Sequence, residues 1–383
     1  MAKNLTLIFN KEFNEIHLGK DVFLVPYYLG KLLKYNVTIV YPQTDNNLNL
    51  PKEHKGVKLK PLTYKYNPKA HYLHNEKIYH QYTIKHAKKI DLLMCFHHNF
   101  QTELIVLLYK LYNSNGKVYI KLDVNPNMIE YKSNNNFISK KIHDLITKFF
   151  IHNTNIASCE TQMAYENILK SKITKNQWGN KLELINNGFD EENLRELDIE
   201  ECNLDKKENI FITVSRIGAY EKNSELILKA LSKIDLKNWK FYFIGPIEND
   251  FKNTIKTFFT KHPDKVNNII FTGAIYDKKL LWEFYNRAKV FVFASRWESY
   301  GLVFNEAKRF KNYIVSTPVG AFFDITENNK YGISYNENSV EELETILKDI
   351  INQKINIDVY KDFNSDVLSW ENQLSKITNK LID

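Results

Sequence analysis

Two glutamates eight positions apart, Glu298 and Glu306, stand where a sequence of this kind could do chemistry. The apolar run Phe291-Val292-Phe293-Ala294 gives way to polar Ser295-Arg296-Trp297-Glu298-Ser299-Tyr300. Gly301 then permits close backbone approach, and a helical pattern opens near Leu302. Sheets with helices on both faces bind ligands at the carboxyl ends of their strands, against helix N-termini whose amides and macrodipole accept phosphate. A diphosphate at the Leu302 helix would leave Glu306, one turn further in, within reach of a ribose. Two glutamates at this spacing are ordinarily surface charges. The strand–loop–helix setting, and the turn Thr317-Pro318-Val319-Gly320 after the following strand, make them candidates.

Cations for such a ligand are the next question. The chain holds 48 lysines and only five arginines, Arg195, Arg216, Arg287, Arg296 and Arg309. Each arginine is therefore informative, because guanidinium suits bidentate phosphate or carboxylate recognition. Arg216 follows the strand pattern Ile210–Val214, and Lys222 lies six residues on; the plain alternative is a solvated loop. In the first half, a strand leads to Glu15-Ile16-His17-Leu18-Gly19-Lys20-Asp21, readable as a simple strand–helix turn or as a phosphate-approaching loop with Lys20 adding charge. Asp123 follows the strand Val118–Leu122, where an Asp at a helix start is the bland reading. His97 and His98 end the strand Leu92–Phe96 and could line a ligand cleft, a packing role being the alternative for His98.

The elements that must position these residues repeat one pattern, short β-branched runs alternating with amphipathic segments. Strands are expected at Leu5–Phe9, Val37–Tyr41, Leu92–Phe96, Val118–Leu122, Ile156–Ser158 and Leu182–Ile185. A second series follows at Ile210–Val214, Trp239–Ile244, Asn268–Phe271, Val290–Ala294, Tyr313–Ser316 and Gly332–Tyr335. Helices are expected at Val22–Lys34, Gln101–Tyr112, Ile138–Phe150, Ser224–Lys233, Lys278–Ala288, Leu302–Arg309 and Val340–Ile351. The class is α/β, two doubly wound domains. Residues 190–208 carry nine acidic side chains and little apolar periodicity, so 191–207 reads as a linker between domains at 1–190 and 208–362. The first 189 residues hold 26 basic and 14 acidic groups and ten of the eleven histidines, whereas the remainder holds 27 and 31.

Five blocks in order resemble the retaining glycosyltransferases of family 4. They are Asn187-Gly188-Phe189-Asp190, Ser215-Arg216-Ile217 with Glu221-Lys222-Asn223, Phe243-Ile244-Gly245-Pro246, Phe271-Thr272-Gly273, and Glu298-x7-Glu306 with Gly301. The resemblance is strongest over 208–340. It implies the GT-B fold, two Rossmann-like domains facing across a cleft, with a C-terminal helix at 363–383 returning to the first domain near Trp370. It further implies that Arg216 and Lys222 neutralise the leaving diphosphate and that Glu306 binds ribose. Glu298 would hold the donor sugar, and Asp123 would stand near the sugars. Gly19, Lys20, Ile275, Tyr300, Gly301, Leu302 and Val303 would complete the donor site, with His17, His97 and His98 on the acceptor side. Where the family usually has two adjacent glycines in its first loop, this chain has Gly19 followed by Lys20.

The implied activity is hexosyl transfer from a nucleotide diphosphate sugar, UDP-linked on family frequency, to a glycan or lipid-linked acceptor. No protein nucleophile and no cofactor are implied. No Asp-x-Asp occurs in the chain, so no metal is expected. A nucleotide-sugar epimerase on the same fold and a non-catalytic partner of a transferase are the alternatives. Three scattered cysteines (Cys95, Cys159, Cys202) speak against a zinc site or disulfide framework. No nucleic-acid motif accompanies the net charge of +8. Without a signal-peptide or membrane-spanning pattern the expected location is cytoplasmic. In Ser139-Lys140-Lys141-Ile142-His143-Asp144-Leu145-Ile146-Thr147-Lys148-Phe149-Phe150 lysines flank an apolar stripe, which reads either as a core-facing helix or as one that docks peripherally on an anionic membrane.

Overall fold

A computed structural model describes residues 2–63, 72–124, 137–170 and 178–382, with side chains from 76 onward in the second helix and from 141 onward in the fourth. The chain divides into two compact units, Met1–Gly188 with Ser369–Asp383, and Phe189–Leu368.

The first unit runs β1 (Asn4–Ile8), α1 (Asp21–Leu33), β2 (Asn36–Pro42), β3 (Glu53–His54), β4 (Val57–Leu62), α2 (Tyr72–His86), β5 (Leu92–Phe96), α3 (Phe100–Tyr112), β6 (Lys117–Lys121), α4 (Phe137–Asn153), β7 (Ile156–Cys159), α5 (Gln162–Lys170) and β8 (Leu182–Leu184). Its sheet has the order β3-β4-β2-β1-β5-β6-β7-β8, parallel except for the β3–β4 hairpin. Alternate side chains feed opposite faces: Leu92, Met94 and Phe96 of β5 enter one core, Leu93 and Cys95 the other.

The second unit runs α6 (Glu191–Glu196), β9 (Glu208–Val214), α7 (Ser224–Ser232), β10 (Lys240–Ile244), α8 (Phe251–Lys261), β11 (Ile269–Gly273), α9 (Lys278–Arg287), β12 (Ala288–Phe293), α10 (Val303–Arg309), β13 (Tyr313–Ser316), α11 (Phe322–Thr326), β14 (Gly332–Ser334) and α12 (Val340–Ile351). Its six parallel strands take the order β11-β10-β9-β12-β13-β14. Val290 and Val292 of β12 pack on one face, Phe291 and Phe293 on the other, which is why this strand reads as an unbroken apolar run. In each sheet the strand order reverses beside the first strand, between β1 and β5 and between β9 and β12. That crevice is where such sheets bind ligands.

The last helix, α13 (Trp370–Ile382), returns to the first unit. Trp370, Leu374, Ile377 and Leu381 form one stripe at helical spacing and join the core that α1 covers. A Cβ on Gly188 would collide with Trp370, so the glycine of Asn187-Gly188 gives this helix room. The stretch from Phe363, expected to be helical throughout, begins otherwise. Phe363 packs edge-on against Tyr331 at 5.3 Å, and the Leu368 carbonyl accepts from the Phe189 amide at 2.6 Å, both inside the second unit.

The acidic stretch 191–207, expected as a linker, is instead part of the second unit's packing. Asp190 caps α6 through the Asn193 amide. Arg309, nearly fully buried, binds Glu191 at 2.6 Å and Glu201 at 2.7 Å. Lys207, also buried, donates to the carbonyls of Asn286 and Ala288, each at 2.8 Å. The stretch is anchored by ion pairs rather than by an apolar stripe, so periodicity does not reveal it.

Candidate active site

In the second unit the candidates gather at the carboxyl ends of β9 and β12. The Lys222 ammonium, at the end of a short 3-10 turn, forms an ion pair with Glu298. The two side chains are 19% and 14% exposed, enough screening from water to make the pairing count. Ser295 Oγ lies 3.0 Å from the same Glu298 oxygen and 2.8 Å from the Glu221 carbonyl, which accepts its proton. Arg216, 59% exposed, pairs with Glu221 and stands 3.9 Å from Glu248. Although partial burial opposes it, Glu221's own backbone amide and Arg216 hold its carboxyl below the usual range. Both cations are thus presented at the strand ends by carboxylates that an incoming anion can replace.

Glycines set the approach of the neighbouring loops. Gly301 has φ +86°, and Gly320 has φ +55°. A Cβ on Gly320 would collide with the Tyr300 carbonyl and lie 2.8 Å from Glu298 Cβ. The Ala321 amide donates to that Tyr300 carbonyl at 2.8 Å, and Thr317 Oγ1 donates to the Ser295 carbonyl at 2.6 Å. The turn after β13 therefore braces the Glu298 loop from behind.

Glu306 lies in the first turn of α10, which starts at Val303, one residue later than the expected start at Leu302. Its Oε1 accepts from the Trp282 indole at 3.0 Å and pairs with Lys278. Main-chain bonding in this turn begins with the Phe304 amide donating to Gly301. Leu302 and Val303 sit half-buried at the helix start, whereas the Tyr300 side chain is buried and its hydroxyl donates to Asn305 at 2.9 Å. Ile275 borders a pocket of about 440 Å³ with Thr272, Ala274, Tyr276, Asp277, Leu280 and Phe284. The structure thus brings Arg216, Lys222 and Glu298 together and sets Glu306 on the adjoining helix.

In the first unit the picture is divided. His97 and Asp123 follow β5 and β6 and both hold left-handed backbone, φ 61° and 43°. Such conformations in non-glycine residues cluster at functional sites. Burial lowers the His97 pKa, so its neutral Nε2 accepts from the Lys11 ammonium at 2.8 Å, which puts the ring proton on Nδ1, 3.8 Å from Asp123. His17 is tied to Asn14 at 2.8 Å and stacks on Phe13; burial, then Lys20, lowers its pKa. His98 is spent on packing. It stacks on Phe150 at 4.8 Å, meets Trp178 edge-on and bonds buried Glu103 at 2.8 Å. Nothing lies within 4 Å of a Cβ built on Gly19, and its φ is ordinary, so that position places no demand for glycine; Lys20 beside it is exposed.

Sequence reasoning missed a buried ion triad in this unit. Lys121, at the end of β6, pairs with Asp21 at 2.8 Å and with Glu160. Against burial, which would lower it, the two carboxylates hold the Lys121 ammonium well above its ordinary pKa. Burial pushes Glu160 up to about 7 in spite of Lys121. A lysine inside the apolar strand Val118-Tyr119-Ile120-Lys121-Leu122 was the available signal. Lys11, Lys278 and Trp282 carried none.

Residues 195–365 match the family model described as "Glycosyl transferases group 1". A sulfoquinovosyl transferase of Arabidopsis thaliana is 29% identical over 184 residues, 46% of this chain and 34% of that protein, so the match spans about a third of its length. A glycosyltransferase from Rickettsia africae superposes with a TM-score of 0.71 at 17% identity, covering 100% of both chains. An Anabaena protein solved in complex with UDP superposes at 0.66 with 12% identity, over 99% of this chain and 96% of that one. The fold is that of the GT-B glycosyltransferases, and the family match supports a glycosyl-transferring enzyme.

Proposed function

We propose that the protein is a retaining glycosyltransferase of the family 4 type. It would move a hexose from a nucleotide diphosphate sugar, UDP-linked, to a glycan or lipid-linked saccharide. The observation that carries this reading is the Lys222–Glu298 pair beside exposed Arg216 at the strand-order reversal of the second sheet. The donor diphosphate takes Lys222 and Arg216 away from their carboxylates. Charge on the leaving diphosphate is greatest in the transition state, so the two cations act most strongly there. Glu298, released, holds sugar hydroxyls beside the anomeric carbon. Glu306, oriented by Trp282, takes the ribose. The acceptor hydroxyl attacks from the leaving-group face of an oxocarbenium-like centre, and its proton passes to the departing phosphate oxygen. No metal is required for that departure.

A thermal-shift panel of UDP, GDP, ADP and their sugars tests the donor site. A ligand at 100 times its Kd adds about 2.7 kcal/mol to the folded state. UDP should raise the melting temperature of the wild type, and Glu306→Ala should shrink that rise without lowering the ligand-free melting temperature. No shift with any nucleotide would overturn the reading.

A further inference from the structure

Arg296 is one of five arginines and takes no part in the donor site just described. Its amide donates to the Glu221 carbonyl at 2.8 Å, and its guanidinium donates to the Tyr220 carbonyl. The guanidinium also lies 4.3 Å from the centre of the Tyr220 ring, a cation–π stack. With Ser295 Oγ bound to the Glu221 carbonyl, four contacts staple the loop after β12 to the turn that carries Lys222. The product of this stapling is a pair of exposed aromatic rings. Tyr220 is 71% and Trp297 44% exposed, their ring centres 5.8 Å apart and their planes inclined by 52°. Arg296 stacks on the Tyr220 ring, and Trp297 adjoins it.

Single exposed apolar residues need no explanation, but two adjoining rings, one held by a cation–π stack, on the loops that carry Lys222 and Glu298 do. Tyr220 and Trp297 directly neighbour Glu221-Lys222 and Glu298 in sequence. Aromatic faces carry a negative quadrupole and suit partners that offer polarised C–H groups, as the faces of a pyranose do. Their two χ angles make ordering them inexpensive. We propose that Tyr220 and Trp297 form a saccharide-stacking subsite that holds a pyranose ring of the acceptor beside the donor sugar, with Arg296 fixing the wedge. This rests on the glycosyltransferase reading above.

The test uses the full chain saturated with UDP and a panel of methyl hexopyranosides, read by saturation-transfer-difference NMR, with UDP affinity measured in parallel. At least one glycoside should receive saturation at its ring C–H protons. Trp297→Ala and Tyr220→Ala should each cut that signal at least fivefold, Trp297→Phe should restore most of it, and UDP affinity should stay within twofold. Failure of the wild type to bind UDP overturns the donor-site reading instead. If UDP binds but no glycoside does, or if both alanine variants bind the glycoside like wild type, the subsite is refuted. A selective loss of UDP affinity in Trp297→Ala would also refute it, making the indole a contact of the nucleotide.

Discussion

Charged side chains in this protein are rarely left to water where function is expected; carboxylates hold cations ready. The pairing of Lys222 with Glu298 and the holding of Arg216 by Glu221 both follow that pattern. The triad Lys121–Asp21–Glu160 carries it into the core of the first unit, where two carboxylates share one ammonium. Glu160 titrates near 7 rather than at its ordinary 4.5, so the folded state binds its proton more tightly than the unfolded chain does. Its contribution to stability is full below the unfolded pKa and is lost as pH rises through about 7. Chemical denaturation of wild type and Glu160→Gln between pH 4.5 and 8 checks this. Relative to the variant, wild type should lose stability steadily up to pH 7 and then level off. A difference independent of pH would contradict the assignment.

At the scale of elements, the loops do what the strands cannot, and glycine makes their close approach feasible. Gly320 bears directly on the site, because an added Cβ meets both the Tyr300 carbonyl and Glu298. Left-handed backbone alone costs an L-residue about 1–2 kcal/mol. Gly320→Ala should therefore lower the melting temperature and, by displacing Glu298, reduce turnover more than nucleotide affinity. Calorimetric melting, a UDP titration and UDP release from a UDP-sugar read the three quantities separately. Much of this architecture was legible. β12 and β5 read as strands because both faces are buried, and α12 matches its expected bounds from Val340 to Ile351 because its apolar stripe is complete. α8 was missed although Phe251, Ile255, Phe258 and Phe259 stand at helical spacing and pack on the core of the second unit. β4 alternates Val57, Lys58, Leu59 and Lys60 as a half-buried strand does, but Pro61 argues against a strand in the sequence. The placement of Arg216, Lys222 and Glu298 at the strand ends, with Glu306 on the next helix, was legible because motif and setting coincide there. It was not where long-range contacts decide, as with His98, drawn into aromatic packing by Phe150 and Trp178.

At the scale of the whole molecule, the uneven charge remains to be placed. Among the described residues no helix is long and apolar enough to cross a membrane. On α4 the expected stripe divides: Phe150 is buried, whereas Ile142 and Leu145 are 57% and 69% exposed beside exposed Lys141 and Lys148. The side chains of Ser139 and Lys140 lie outside the described residues. We propose that this face docks peripherally on anionic lipid, each basic residue near the surface adding about 1 kcal/mol. Co-sedimentation with anionic vesicles at low salt should be weakened by salt and by Leu145→Asp with Lys148→Glu, and neutral vesicles should not bind. Equal recovery with both vesicle types would remove the proposal.

We propose that Lys222, freed from Glu298, stabilises the departing diphosphate. It is tested most directly by the turnover of UDP-glucose, UDP-galactose and UDP-N-acetylglucosamine, read as UDP release in buffer containing a chelator. Wild type should turn over at least one of these sugars without added metal. Lys222→Ala should lower its kcat about 10²–10³-fold while changing KM little. Wild-type turnover in the variant, or an absolute requirement for magnesium or manganese, would contradict the claim.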